Sequence, residues 1–303
     1  MQVKYKIAIT LILTAILTLV LKMVLYPPLV NTELRTEFWL NKTYAHADYS
    51  IVVGGDSRIY RGFSITDMEA ELSGDFRGLN LGYSSAGFSS NYIDFMANHL
   101  KLSGPRFLVF GLSPHTFTDE SITDELLNQY SNVKGFDRYK GLYLSTYLKH
   151  FAPYKISDLH AAWTGDYTGK VKETFYENGW VESDQNPTVD SVALEIYTKI
   201  FTKVKVNEEI IDQFIHQVDS LHQTGITVLA FRPPTNPKMV AVEDSLSGYQ
   251  EDELANRFEA VGGIWIDLPV NDFTTYDGSH LDSKSARLLG KKVGEAIRQI
   301  LSH

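Results

Sequence analysis

From residue 49 onward the chain alternates short, β-rich apolar runs with stretches of helical period, and this alternation narrows the fold more than any other feature. Residues 105–112 (PRFLVFGL) are apolar on both faces, as in a strand buried at the centre of a parallel sheet. Residues 49–54, 77–81 (RGLNL), 226–231 (ITVLAF) and 263–268 (GIWIDL) read as further strands. Helical spacing is found over 59–72, 90–102, 207–222, 247–261 and 283–301. In 207–222, Ile210, Ile211, Phe214, Ile215, Val218 and Leu221 form one stripe, and Gly225 follows as a stop signal. The expected class is α/β: a mainly parallel sheet covered by helices on both faces, in three layers.

Residues 115–206 break this rhythm. They are rich in Tyr, Asp, Gly and Trp, with poor periodicity, and are expected to be an irregular insertion at the carboxyl end of the sheet, where such segments shape substrate access. The alternative is a cap with only a packing role.

A different constraint acts at the N-terminus. Residues 7–26 (IAITLILTAILTLVLKMVLY) are apolar apart from threonines and Lys22, a length that matches the ~30 Å hydrocarbon core of a bilayer. Lys4 and Lys6 precede the run, so the positive-inside rule keeps the N-terminus in the cytoplasm and the rest outside. Tyr5 and Tyr26 fall at the interfaces, Lys22 can snorkel, and Pro27-Pro28 end the helix. A cleaved signal peptide would carry a shorter apolar region followed by an Ala-x-Ala site, whereas here the run continues through Lys-Met-Val-Leu-Tyr-Pro-Pro with no such site. The expected organisation is an anchor over 1–26, a juxtamembrane linker over 27–48 with a short helix, and one α/β domain over 49–303. Lys plus Arg is 28 against 37 Asp plus Glu, a formal charge of −9 that argues against a nucleic-acid partner. There are no cysteines, hence no disulfide framework and no thiolate metal site.

Two short segments carry chemistry. Gly54-Gly55-Asp56-Ser57 follows the first strand and places a serine on a strand-to-helix turn, where free N–H groups favour developing negative charge. Asp277-Gly278-Ser279-His280 puts a carboxylate and an imidazole three residues apart on one loop. Nucleophile, base and orienting acid are the parts needed for covalent acyl chemistry. The serine is not on a Gly-x-Ser-x-Gly elbow, because Ile59 stands where the second glycine belongs.

These blocks resemble the SGNH (GDSL-like) esterase and acyltransferase superfamily over about 49–301, with the insertion unmatched. The resemblance implies a three-layer, flavodoxin-like α/β/α domain in which Ser57 attacks an acyl carbon, His280 takes and returns the proton, and Asp277 orients the ring. The middle blocks depart from the pattern. Asn80-Leu81-Gly82-Tyr83-Ser84-Ser85 keeps the family's Asn but has Ser85 where a Gly is usual, and Gly111-Leu112-Ser113-Pro114 has Ser113 in place of an Asn. An oxyanion hole is therefore expected from the N–H groups of Ser57 and Ser85 with the Ser113 hydroxyl. Ser113-Pro114-His115-Thr116-Phe117 is similar to the Ser-Pro-Gln-Trp-Phe segment of the membrane-anchored DltD branch. That branch and the related O-acetylation proteins work beside a membrane-bound O-acyltransferase on envelope polymers.

Around Ser57, the candidate substrate contacts are Arg58, Gly82, His115 and Arg232, with Arg61 on the same helical face as Arg58. The competing reading of Arg58 and Arg61 is surface ion pairing, and of His115 a satisfied histidine that finishes its strand. Tyr139, Tyr143, Tyr147, Trp163 and Trp180 are candidates for stacking on sugars, or for ordinary packing. His150, Asp158 and His160 lack metal-ligand spacing, so no metal and no cofactor are expected. The chain reads as a membrane-anchored esterase or O-acyltransferase acting on an envelope glycan. Its rivals are a non-catalytic scaffold for a membrane-bound acyltransferase and a free-standing esterase or lipase.

Overall fold

The computed structural model describes residues 2–25, 32–145, 163–164 and 171–302. Tyr26, Pro27-Pro28, Tyr147, His150, Asp158 and His160 lie outside the described residues. The chain divides into two compact units, Met1–Asn41 with Val133–Thr168, and Lys42–Asn132 with Gly169–His303.

In the first unit, helix α1 (Gln2–Leu25) contains a stretch, Lys4–Leu21, long and apolar enough to be a membrane anchor or a signal sequence. Its large side chains, such as Ile7, Leu11 and Leu17, are exposed rather than packed. Helix α2 (Thr32–Thr43) follows, and it extends beyond the short helix expected in the linker.

The second unit is built on a five-stranded parallel sheet. Its strands are β1 (Ile51–Gly55), β2 (Gly78–Asn80) and β3 (Phe107–Gly111), and beyond a separate antiparallel hairpin of β4 (Val171–Phe175) and β5 (Val181–Gln185) come β6 (Thr227–Phe231) and β7 (Ile264–Trp265). The order is β2-β1-β3-β6-β7, every pairing parallel. Strands read as apolar on both faces are buried on both faces. Val53, Val109 and Leu229 lie side by side and pack with Met68, Leu289 and Val293. Their neighbours turn to the other face, where Phe110 meets Phe88 at 5.1 Å and Phe214 at 5.3 Å, edge to face.

The helices in chain order are α3 (Ser57–Gly62), α4 (Ile65–Glu69), α5 (Ser90–Ala97), α6 (Glu125–Ser131), α7 (Gly135–Tyr139, in the first unit), α8 (Asp190–Lys203), α9 (Glu208–Gln223), α10 (Pro237–Leu246), α11 (Glu251–Ala260) and α12 (Ser283–Leu301). Three differ from the sequence expectation. The helix read over 59–72 is broken after Gly62, because the Ser64 hydroxyl accepts the Asp67 N–H and starts α4 anew. Helix α10 was not anticipated, although Asn236 caps it and Pro237 stands at its first position. The segment 115–206 is not wholly irregular: it holds α6, the hairpin and the 14-residue α8, and the unit boundaries divide it.

Position follows from topology. β1 is flanked by β2 on one side and β3 on the other, so the chain reverses its winding direction there, and ligands of open α/β sheets bind beyond the strand ends at such a point. Ser57 follows β1, and the Ser113–His115 stretch follows β3.

Candidate active site

The nucleophile turn is set by what cannot fit. At Gly55 (φ +150°) a Cβ would meet Ile59 Cγ1 at 2.5 Å and the Gly111 carbonyl at 2.9 Å, so the strand ends against β3 only without a side chain. Tyr92 pins this end: its hydroxyl accepts the Gly55 N–H at 3.1 Å and donates to the Leu81 carbonyl at 2.8 Å. Asp56 caps α3 by accepting the Arg58 N–H at 2.8 Å. Ser57 becomes the first helical residue, partly exposed, with an amide N–H that helix geometry leaves unpaired.

The base loop is folded around a single carboxylate. Asp277 Oδ1 accepts the Ser279 N–H at 2.9 Å and the His280 N–H at 2.7 Å, closing the loop on itself. Its other oxygen, Oδ2, lies 2.7 Å from His280 Nδ1, and His280 Nε2 lies 2.8 Å from Ser57 Oγ. The second contact bridges 223 residues of sequence. Ionised Asp277 requires the hydrogen on Nδ1, which leaves Nε2 as the acceptor facing the serine hydroxyl. Burial pushes the Asp277 carboxyl up, but the His280 ring and the two backbone N–H groups hold it below the ordinary carboxylate range. Tyr276 stacks on the imidazole at 5.7 Å, and Asp282 caps α12 by accepting the Ser285 N–H, so both ends of the loop are fixed.

Several expected contacts are placed elsewhere. The Ser113 hydroxyl is fully buried and donates to Asp56 Oδ2 at 2.8 Å. Its one proton is engaged, so the expectation of an oxyanion donor there is corrected. Gly82 donates its N–H to Asn80 Oδ1 at 2.9 Å and accepts from Lys42 Nζ at 2.6 Å on its carbonyl, so its N–H and its carbonyl are both bonded within the protein. It is glycine because a Cβ would meet the Tyr60 amide nitrogen at 2.7 Å.

The arginines are corrected as well. Arg58, 2% exposed, pairs with Glu243 at 2.6 Å, donates through Nε to Ser279 Oγ at 3.1 Å and lies under the Tyr197 ring at 5.0 Å. Arg232 pairs with the other oxygen of Glu243 at 2.9 Å and with Glu251 at 2.8 Å. Burial lowers the pKa of Arg58, but the Glu243 charge more than reverses this and holds it above its usual value. Arg61 pairs with Glu173 at 2.9 Å and bonds the hydroxyls of Tyr60 and Tyr276. These arginines bind the protein to itself. His115 is half-buried, edge-on to Tyr197, and burial lowers its imidazole pKa.

Trp180 is buried, stacked on Tyr176 at 4.8 Å and covered by Arg287, which removes it from the sugar-stacking candidates. Tyr139, Tyr143 and Trp163 are exposed, in the first unit.

Ser85 has φ +57°, the left-handed conformation in which glycine is at ease, so the local backbone keeps the shape a glycine would favour there. Glu243, Tyr197 and Tyr92 were missed by sequence reasoning. Glu243 had a signal: it stands four residues after Met239 on the buried stripe of α10, a carboxylate at an apolar position. Comparison with protein families and with curated proteins finds no match to this chain in either.

Proposed function

We propose that the protein is a membrane-anchored, SGNH-like serine esterase or O-acyltransferase that moves or removes acyl groups on a cell-envelope glycan. The observation that carries this reading is the hydrogen-bonded series Ser57–His280–Asp277, at 2.8 and 2.7 Å, beyond the strand ends of a parallel sheet. In the reaction, Ser57 Oγ attacks the acyl carbon as its proton passes to His280 Nε2. The carbonyl oxygen gains the negative charge and is met by the N–H groups of Ser57 and Ser85. Collapse of the intermediate expels the leaving oxygen, which takes the proton from His280, and leaves an acyl-serine. Water or an acceptor hydroxyl then gives its proton to His280 and attacks the acyl-serine, returning Ser57 to its free form.

The apolar N-terminal helix, with Lys4 and Lys6 near its start, supports an anchor with the second unit outside the cytoplasmic membrane. Such an anchor suits collaboration with a membrane-bound O-acyltransferase. The test is to incubate the full chain with a fluorophosphonate and with simple activated esters. Labelling of Ser57 and ester turnover are expected, both lost in Ser57→Ala with the melting temperature kept. An unlabelled Ser57 together with co-purification of a multi-span acyltransferase would replace catalysis with the scaffold reading.

A further inference from the structure

Beside the Ser85 turn lies a cavity of about 270 Å³ between the 83–86 segment and residues 120–127. Tyr83 and Tyr92, each 1% exposed, form part of its floor, and Ser85, Glu120 and Glu125 stand exposed at its rim. Tyr92 is the residue whose hydroxyl holds the Gly55 N–H, so the floor is continuous with the nucleophile strand. The volume is just under the ~300–1,000 Å³ typical of sites for drug-sized ligands, room for one ring rather than a length of polymer.

Asp124 lines the same cavity and is 6% exposed. It stands at the cap position of α6 but makes no capping bond. Its Oδ2 accepts the Ser89 hydroxyl at 2.6 Å, while its Oδ1 is buried with no hydrogen-bond partner among the described residues. An unsatisfied buried carboxylate oxygen is costly, and a turn of the side chain toward the cavity would let a ligand's donor satisfy it. Burial accordingly raises the Asp124 pKa, opposed by the Ser89 bond. The lining holds three carboxylates, Glu120, Asp124 and Glu125, with hydroxyls from serines and a threonine, and no Lys, Arg or His. A phosphate or uronate would meet like charge with no counter-charge. A neutral ring offers several hydroxyl donors at once, with an apolar face for the tyrosines. An amine would satisfy only the one buried oxygen, since Glu120 and Glu125 are exposed to water and salt.

We infer that this cavity is a subsite for one uncharged sugar residue, with Asp124 turning its carboxylate toward the cavity to accept a sugar hydroxyl and the carboxylate lining excluding anionic units. The inference deepens the acyl-transfer reading, on which it rests for the identity of the sugar as acceptor or product.

Binding is measured on the full chain carrying Ser57→Ala, in a detergent without sugar headgroups, by saturation-transfer NMR and titration with glucose, N-acetylglucosamine, glucosamine, glucuronate and glycerol phosphate. Saturation transfer to glucose or N-acetylglucosamine is expected, with affinity falling about 10-fold or more in Asp124→Ala. The same loss is expected in Thr123→Trp, which blocks the rim from an exposed position and leaves the buried floor intact. No transfer to either neutral sugar overturns the inference. So do equal binding of glucuronate or glycerol phosphate, glucosamine binding more than 10-fold tighter than N-acetylglucosamine, or unchanged binding in both variants. Because Ser57 is absent from the assay, a failure here is separate from a failure of Ser57 to label.

Discussion

Two regions that meet beside Ser57 are built in opposite ways. The 277–280 loop is self-contained: one carboxylate bonds two backbone N–H groups and the imidazole within four residues. The buried cluster of Arg58, Arg232 and Glu243 is drawn from three separate segments, and it reaches the loop through the bond from Arg58 to Ser279. The first presents His280 Nε2 to the Ser57 hydroxyl. The second holds the nucleophile helix, the base loop and α10 together through Arg58. Ionisable side chains thus shape a compact loop where neighbours in sequence supply the partners, and bind elements together where the partners arrive from elsewhere.

The sharpest way to break this contrast is Asp277→Asn. Turnover should fall on the order of 10⁴-fold, because the amide favours the wrong imidazole tautomer, while thermal stability at neutral pH falls modestly with the loss of the carboxylate's charge. Both are read from ester hydrolysis and a melting curve. The acid limb offers an independent check. Asp277 has a depressed pKa in the folded protein, so its contribution to stability is complete above about pH 4 and is lost as pH falls through the depressed value. Urea denaturation against pH should show a shallower acid limb in Asp277→Asn.

Glu243→Ala should act in the reverse sense, costing about 3–5 kcal/mol of stability by leaving the buried Arg58 guanidinium uncompensated, while Arg232 keeps Asp244 and Glu251. A chemical denaturation curve that hardly moves would remove the cohesive role. Ser113→Ala should cost about 1.5–3 kcal/mol through the lost bond to Asp56, with turnover within a few-fold of the parent. A fall of about 10²–10³ in turnover without loss of stability would restore Ser113 to the oxyanion hole. The smallest effect is Ser85→Gly, expected to leave the turn in place and raise stability by about 1 kcal/mol through relief of the left-handed conformation.

The legible part of the fold was the part with a local physical signature. Both-face apolar runs became central parallel strands, and the Leu289, Val293 and Ile297 repeat became the buried stripe of α12. The break after Gly62 was hidden because Ile65 and Met68 continue the apolar pattern across it. Inside 115–206, α8 was obscured because it buries only Ala193 and Phe201, too few to impose a period.

Read alone, the chain determined its strands, its apolar N-terminal helix, and the two turns that carry serine and histidine, since each depends on residues adjacent in sequence. Only the tertiary structure decided that Arg58 and Arg232 share Glu243, that Ser113 bonds Asp56, and that Asp124 keeps one oxygen unpartnered beside a cavity. Those outcomes depend on which distant groups arrive within 3 Å, and on the burial that makes each such pairing obligatory.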